Sequence, residues 1–149
     1  MRTFTLEREQ RFPGPPDRIF DFFGDAANLE RITPPSLGFR IVTPQPISMR
    51  EGTLIDYRLR LHGIPFGWRT LIERWNPPHD FVDRQLRGPY RLWVHTHRFT
   101  PVDGGTHVHD HVEYAVPFGS CVDRMFVRRE LDRIFDYRCE QLTEILGAC

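Results

Sequence analysis

Lysine is absent from this chain of 149 residues, in which all 20 basic side chains are arginine. That excludes Schiff-base lysine chemistry, a pyridoxal phosphate anchor and the lysine of a phosphate-binding Walker loop. Excess charge of one sign is missing as well. The 20 acidic residues bring the formal net charge to zero, and Arg128-Arg129 is the only arginine doublet. No basic field exists to attract nucleic acid or an anionic bilayer.

Cysteine is scarce. Cys121, Cys139 and Cys149 are an odd set with no CxxC pair, which argues against a disulfide framework and a structural zinc site and points to a reduced, intracellular setting. Long hydrophobic runs are also lacking, and Met1 to Gln10 mixes charged with apolar residues without reaching signal-peptide or membrane length. The expectation is a soluble, cytoplasmic protein with no integral membrane segment. Neither a nucleophile elbow nor a glycine-rich phosphate loop occurs, and Gly104-Gly105 reads as a hairpin turn.

What is present is a 40% hydrophobic chain of 17.7 kDa. One domain over 1–149 is expected, burying roughly 70% of the surface its unfolded form exposes. Alternation in Thr3 to Arg8 predicts a strand, and Pro13-Gly14-Pro15-Pro16 ends it. Pro15 and Pro16 preset a helix carrying Ile19, Phe20, Phe22 and Phe23, and Asp25 caps a second short helix that Pro34-Pro35 stops. From Phe39 to Tyr114 the period is two. Strands are expected at about 38–43, 52–62, 67–75, 80–87, 91–101 and 106–115, with breaks at Gly63-Ile64-Pro65, Asn76-Pro77-Pro78 and Asp103-Gly104-Gly105. After Pro117-Phe118-Gly119 a helical period returns, with Val122, Phe126, Leu131, Ile134, Phe135, Leu142, Ile145 and Leu146 on one face. An antiparallel sheet with one apolar face needs a cover, and this helix is the only element long enough. Where helix and sheet diverge, a gap remains for a small molecule.

Parity decides which side chains face the gap. Ile55, Tyr57, Leu59 and Leu61 share one face, as do Trp68, Thr70 and Ile72 on the next strand. Phe81, Asp83 and Gln85 align, and so do Arg91, Trp93, His95, His97 and Phe99, whose large aromatics mark the interior. A turn at Asp103-Gly104-Gly105 pairs Phe99 roughly with Val108 and His97 roughly with Asp110. Val108, Asp110, Val112 and Tyr114 then face inward, and His107, His109, His111 and Glu113 face outward as a solvated row without assigned function. The candidate ligand-binding residues are Tyr57, Trp68, Asp83, Gln85, Tyr90, Trp93, His95, His97, Phe99 and Asp110. Buried polar groups cost about 1–3 kcal/mol each when unpaired, so this cluster requires internal hydrogen bonds, water or a ligand. Asp83 with Gln85 either orients the polar end of a ligand or pairs with an arginine inside the fold, for which Arg91 is the candidate.

The stretches GTLIDYRLRLHGIPFGWRTLIERW and FVDRQLRGPYRLWVHTHRF, the VDGGT turn and DHVEY resemble the START-like SRPBCC superfamily, in particular its stand-alone polyketide cyclase/dehydrase members. FPGPPDRIFDFFGDAANLERITPP and VRRELDRIFDYR extend the likeness over nearly the whole chain. The resemblance implies an α+β helix-grip fold, START/Bet v 1-like, in which a curved antiparallel sheet enfolds the long C-terminal helix around a hydrophobic cavity, with two short helices after the first strand.

Three roles stay open. The first is binding of a lipid, isoprenoid, polyketide-like or other aromatic small molecule in that cavity. The second is a cyclase/dehydratase-type enzyme in which His95, His97 and Asp110 are the candidate acid-base residues. The third is a protein-interaction accessory, for which the superfamily resemblance implies a nucleotide-sugar epimerase-like partner; a homodimer is also open. No cofactor is expected; His95, His97 and Asp110 supply a two-His, one-carboxylate set able to hold a metal, but on strands the pattern is unspecific and a metal is not favoured.

Overall fold

The computed structural model describes residues 1–117 and 120–148; Phe118 and Gly119 of the expected break, and Cys149, lie outside the described residues. Strand β1 (Phe4–Phe12) outruns the predicted alternation because Arg8 and Gln10, polar on the same face as Leu6 and Phe12, find partners on the last helix. Gln10 Nε2 donates to the Cys139 carbonyl at 3.0 Å, and Arg8 reaches Asp132 at 2.8 Å. Helix α1 (Pro16–Phe23) opens on proline at its first position and buries Ile19, Phe20 and Phe23. The expected second helix is a 3₁₀ stretch (Ala26–Ile32), and Asp25 does cap it, accepting from the Ala27 amide.

Strands β2 (Arg40–Ile41), β3 (Leu54–Leu61), β4 (Ile64–Asn76), β5 (Asp80–Arg87), β6 (Leu92–Val102) and β7 (Gly105–Ala115) follow. They form a seven-stranded antiparallel sheet in the order β1-β7-β6-β5-β4-β3-β2. Two expected boundaries move. β2 is reduced to two residues, and β4 begins at Ile64, inside the expected break, because His62 and Gly63, both at positive φ, close a two-residue hairpin. Pro65 is tolerated in β4 since β5 pairs only from Arg69 onward, which leaves that stretch of β4 as an edge.

After β7 come a short turn of helix α2 (Ser120–Val122), a π-helical segment (Asp123–Val127) and helix α3 (Arg128–Leu146). Leu131, Phe135 and Leu142 are buried on α3, with Ile134, Ile145 and Leu146 packed beside them. Phe126, expected on this face, is 58% exposed. A π segment holds one extra residue per turn, which rotates everything before it relative to the α3 stripe. No helix among the described residues is long and apolar enough to cross a membrane.

Three apolar clusters join sheet to helices. Phe12, Ile19, Phe20, Phe23, Phe81, Phe99 and Leu142 pack at one end; Leu6, Trp93, Val112, Tyr114, Leu131 and Phe135 pack at the other; Ala26, Ile41, Ile55 and Ile72 fill the side nearest β3. Between them the packing is incomplete.

Candidate functional site

The unfilled space is a cavity of about 180 Å³, walled by β3 to β6, α1, the 3₁₀ stretch and α3. Ile55, Tyr57, Leu59 and Leu61 contribute from β3, Trp68, Thr70 and Ile72 from β4, and Phe81 and Asp83 from β5. Trp93, His95 and His97 line it from β6, and Leu131, Ile134, Phe135 and Arg138 from α3. The alternation of each strand gives these positions one common face. Tyr90 joins them from the β5–β6 connection.

Three expected lining residues sit elsewhere. Gln85 turns to the backbone of Tyr90, donating to its carbonyl at 2.7 Å and accepting from its amide at 3.1 Å, so it ties the β5–β6 connection together. Phe99 belongs to the apolar cluster around Phe20. Asp110 lies behind the two histidines, buried, with its carboxylate against their rings. Arg91, the candidate partner of Asp83, is exposed.

His95 Nε2 lies 2.8 Å from Asp110 Oδ1 and His97 Nε2 2.6 Å from Asp83 Oδ2. The two imidazoles stack with centroids 3.7 Å apart and planes 25° apart, and Phe81 covers His97 at 4.0 Å and 13°. Burial pushes the Asp110 carboxyl up, yet the hydrogen bond from His95, the His97 ring at 3.3 Å and the charge of Arg138 outweigh it and hold the group well below the ordinary carboxylate range. Asp83 is also lowered: burial opposes, while the His97 hydrogen bond and nearby cationic groups win. For His95, burial and then the charge of His97 depress the pKa, whereas His97 is raised because its two carboxylate contacts outweigh burial. Two carboxylates thus face two imidazoles, of which His97 is the more basic, and one guanidinium, Arg138. An ionised carboxylate can only accept, so His95 donates through Nε2 to Asp110 and its Nδ1 keeps a lone pair.

Arg138 is the residue that the sequence reading missed. It stands 4.0 Å from Asp110 and lies over the rings of Phe23 and Phe135. The signal was present: in the stripe Leu131, Phe135, Arg138, Leu142, Ile145 one position carries charge where the period requires an apolar group. Tyr57 shares a short hydrogen bond with Thr70 Oγ1, and burial together with the Asp83 charge raises its hydroxyl pKa. Tyr90 is raised too, by burial and then by Glu130. The cavity thus offers neutral phenols, one neutral imidazole and the hydrogen-bonded Asp83–His97 pair on an otherwise greasy wall. Asp83, His95 and His97 can also bring one donor atom each within 4.8 Å of the others, the spacing from which a metal ion is held.

No curated protein matches the chain. Solved structures of similar shape include a protein from Chromobacterium violaceum, 14% identical, covering 98% of this chain and 99% of that one with a TM-score of 0.75. A protein from Thermus thermophilus is 17% identical over 94% of both chains with a TM-score of 0.74. Major latex-like protein 151 from Panax ginseng is 10% identical over 97% of both with a TM-score of 0.69. At these identities the likeness speaks for the fold, the α+β helix grip of START/Bet v 1-like proteins. A family match runs from residue 3 to residue 147, and on it the chain belongs to the polyketide cyclase / dehydrase and lipid transport family, within the START-like SRPBCC group.

Proposed function

We propose that this chain binds a compact, apolar, aromatic small molecule between sheet and C-terminal helix, with the polar end of that molecule against the His/Asp cluster. Membership of the family supports hydrophobic ligand binding in general. The observation that carries the finer reading is the cavity itself: two of its lining residues, Trp68 and Arg138, hold a buried N–H with no partner, at Nε1 and Nε. A ligand oxygen within reach of either relieves a cost of about 1–3 kcal/mol.

The volume sets the size. A dry cavity of roughly 150 Å³ admits benzene, and drug-sized ligands occupy roughly 300–1,000 Å³. A cavity of about 180 Å³ therefore favours one or two fused rings over a long acyl chain. Removing about 250 Å² of such a ligand from water contributes about 6 kcal/mol before association costs, which gives micromolar to millimolar affinity.

β-Naphthol, a fluorescent two-ring phenol, is the probe. Wild-type protein is expected to bind it, and Leu59→Trp, which projects a larger side chain into the cavity, is expected to weaken binding by about tenfold or more. Near-UV circular dichroism checks that the variant remains folded. Equal binding by both proteins, or none by either, removes this reading.

One observation favours a catalytic second reading. Asp110 orients a neutral His95 whose Nδ1 lone pair is free, the pairing that general-base catalysis uses. Proton abstraction alpha to a carbonyl would follow for a bound aromatic ketone. Deuterium uptake by β-tetralone, followed by NMR, is expected to fall about 100-fold or more in His95→Gln, with apparent substrate affinity changed by less than about threefold. Parallel loss of both, or no uptake with wild-type protein, leaves the chain a binder only.

A further inference from the structure

The His/Asp cluster contains an arrangement that apolar ligand binding does not need. Asp83 Oδ2 has His97 Nε2 at 2.6 Å and His95 Nδ1 at 3.9 Å. The remaining ring nitrogens, His95 Nε2 and His97 Nδ1, both face Asp110 Oδ1, at 2.8 and 3.3 Å. Each imidazole therefore turns one nitrogen to a carboxylate that lines the cavity and the other to a carboxylate buried behind it. Hydrogen bonds engage only one nitrogen of each ring, Nε2 in both; His95 Nδ1 stands 3.9 Å from Asp83, and His97 Nδ1 is buried near Asp110 without a hydrogen bond.

A metal centre would use the two ring nitrogens turned to Asp83, His95 Nδ1 and His97 Nε2, together with that carboxylate. Imidazole ligands of metal ions almost always present their outer N–H to a carboxylate or carbonyl, which fixes the tautomer and strengthens the ligand. Asp110 occupies that outer position for both rings at once. We propose that Asp83, His95 and His97 form a binding site for a divalent transition-metal ion of the Fe²⁺ to Zn²⁺ range, open toward the cavity, with Asp110 as the outer partner of both imidazoles.

Two nitrogens and one carboxylate oxygen suit these ions, and three protein ligands leave a position for water or a ligand oxygen. Metal–ligand bonds of about 2.0–2.2 Å place tetrahedral ligand atoms about 3.3 Å apart. The 2.6 Å separation must open by about 0.7 Å and the 3.9 Å separation must close by about 0.6 Å, within reach of small side-chain rotations. A dication would face two carboxylates here, and Arg138 stands beside Asp110 rather than among the three ligands. The ion and the apolar ligand would share the cavity, yet the metal site stands without the ligand reading, since its donors come from the protein alone, and His97 would release to solvent the Nε2 proton it gives Asp83 as the ion binds.

The chain also offers a competitor. His107, His109 and His111 form an imidazole row on the outer face of β7, where His109 lies 3.3 Å from Glu7 and His107 3.7 Å from Glu9. Chelator-treated protein titrated with Co²⁺, followed by its visible ligand-field absorption, and with Zn²⁺ by calorimetry, separates the two sites. Wild type and the triple variant His107→Gln/His109→Gln/His111→Gln are expected to bind one equivalent with the same affinity. Asp83→Asn and His97→Ala are expected to lose it, and Asp110→Asn to weaken it by about 10–100-fold. Loss of binding in the triple variant, or unchanged affinity in Asp83→Asn, overturns the proposal. Crystals of wild-type protein soaked in cobalt chloride decide the matter without any variant: an anomalous peak bonded to Asp83, His95 and His97 supports the site, and a peak only at the outer row, or none, overturns it.

Discussion

Asp110→Ala is expected to lower the free energy of unfolding by about 3–5 kcal/mol at neutral pH, the usual cost of removing one member of a buried charge pair and leaving the other uncompensated. The residue is 5% exposed. His97 reaches it at 3.3 Å and Arg138 at 4.0 Å, while His95 donates to it. Without the carboxylate, His95 loses its buried acceptor and the Arg138 guanidinium its buried counter-charge. Asp110→Asn keeps a hydrogen-bond acceptor and loses only the charge, so its loss is expected to be smaller. The sign of the pH dependence follows from the lowered pKa. In the unfolded chain the carboxyl titrates at about 3.9, whereas the native contacts hold it well below that range. Its stabilisation is full above the unfolded value and disappears as pH falls through the native one. Urea unfolding of wild type and Asp110→Ala should therefore differ by the full amount at pH 7, with the curves converging only below about pH 4. A gap under about 1 kcal/mol at pH 7, or one that persists undiminished in strong acid, would show that the carboxylate is not the anchor of the cluster.

Much of this site can be read from strand parity alone. Trp93 and Phe99 bracket His95 and His97 on one strand, so all four must share the buried face, and the short turn at Asp103-Gly104 sets His97 against Asp110 and Phe99 against Val108. The partners chosen within that face are less legible. Asp83 stands opposite His95 in the β5–β6 ladder, yet its short hydrogen bond runs diagonally to His97. Side-chain torsions decide this, and no periodicity encodes them. Gln85 shares parity with Asp83, but the paired part of β5 and β6 ends at Arg84 and Val94, which leaves Gln85 free to fold back on Tyr90. The charge that balances the second carboxylate comes from Arg138, more than fifty residues from Asp83 and on a different kind of element. Arg91, nearer in sequence, remains in solvent. Phe126 fails for a local reason, since the helical phase assumed for the stripe is broken at Asp123–Val127. Secondary periodicity thus identifies faces, and the choice of partner on a face belongs to tertiary packing.

That packing makes a second strong prediction, at a residue that does not line the cavity. Phe20 is 1% exposed, and three aromatic rings meet it edge-on: Trp75 at 5.0 Å, Phe81 at 5.6 Å and Phe99 at 5.0 Å. Phe20→Ala removes the common neighbour of all three and is expected to cost about 3–5 kcal/mol, transfer and cavity contributions together. Phe22, on the same helix and half-buried, lines the cavity instead. Its truncation to Ala enlarges an existing space, so it should destabilise by at least about 1 kcal/mol less than Phe20→Ala in parallel denaturant titrations. Phe81 links the two regions: one face stacks on His97 while its edge packs against Phe20. If Phe81 relaxes into the space left by Phe20, the imidazole stack loses its backing, and β-naphthol binding should weaken alongside stability even though no lining residue has changed. Equal destabilisation by the two substitutions would mean that the interior is packed uniformly, with no loosely filled side for a ligand to occupy.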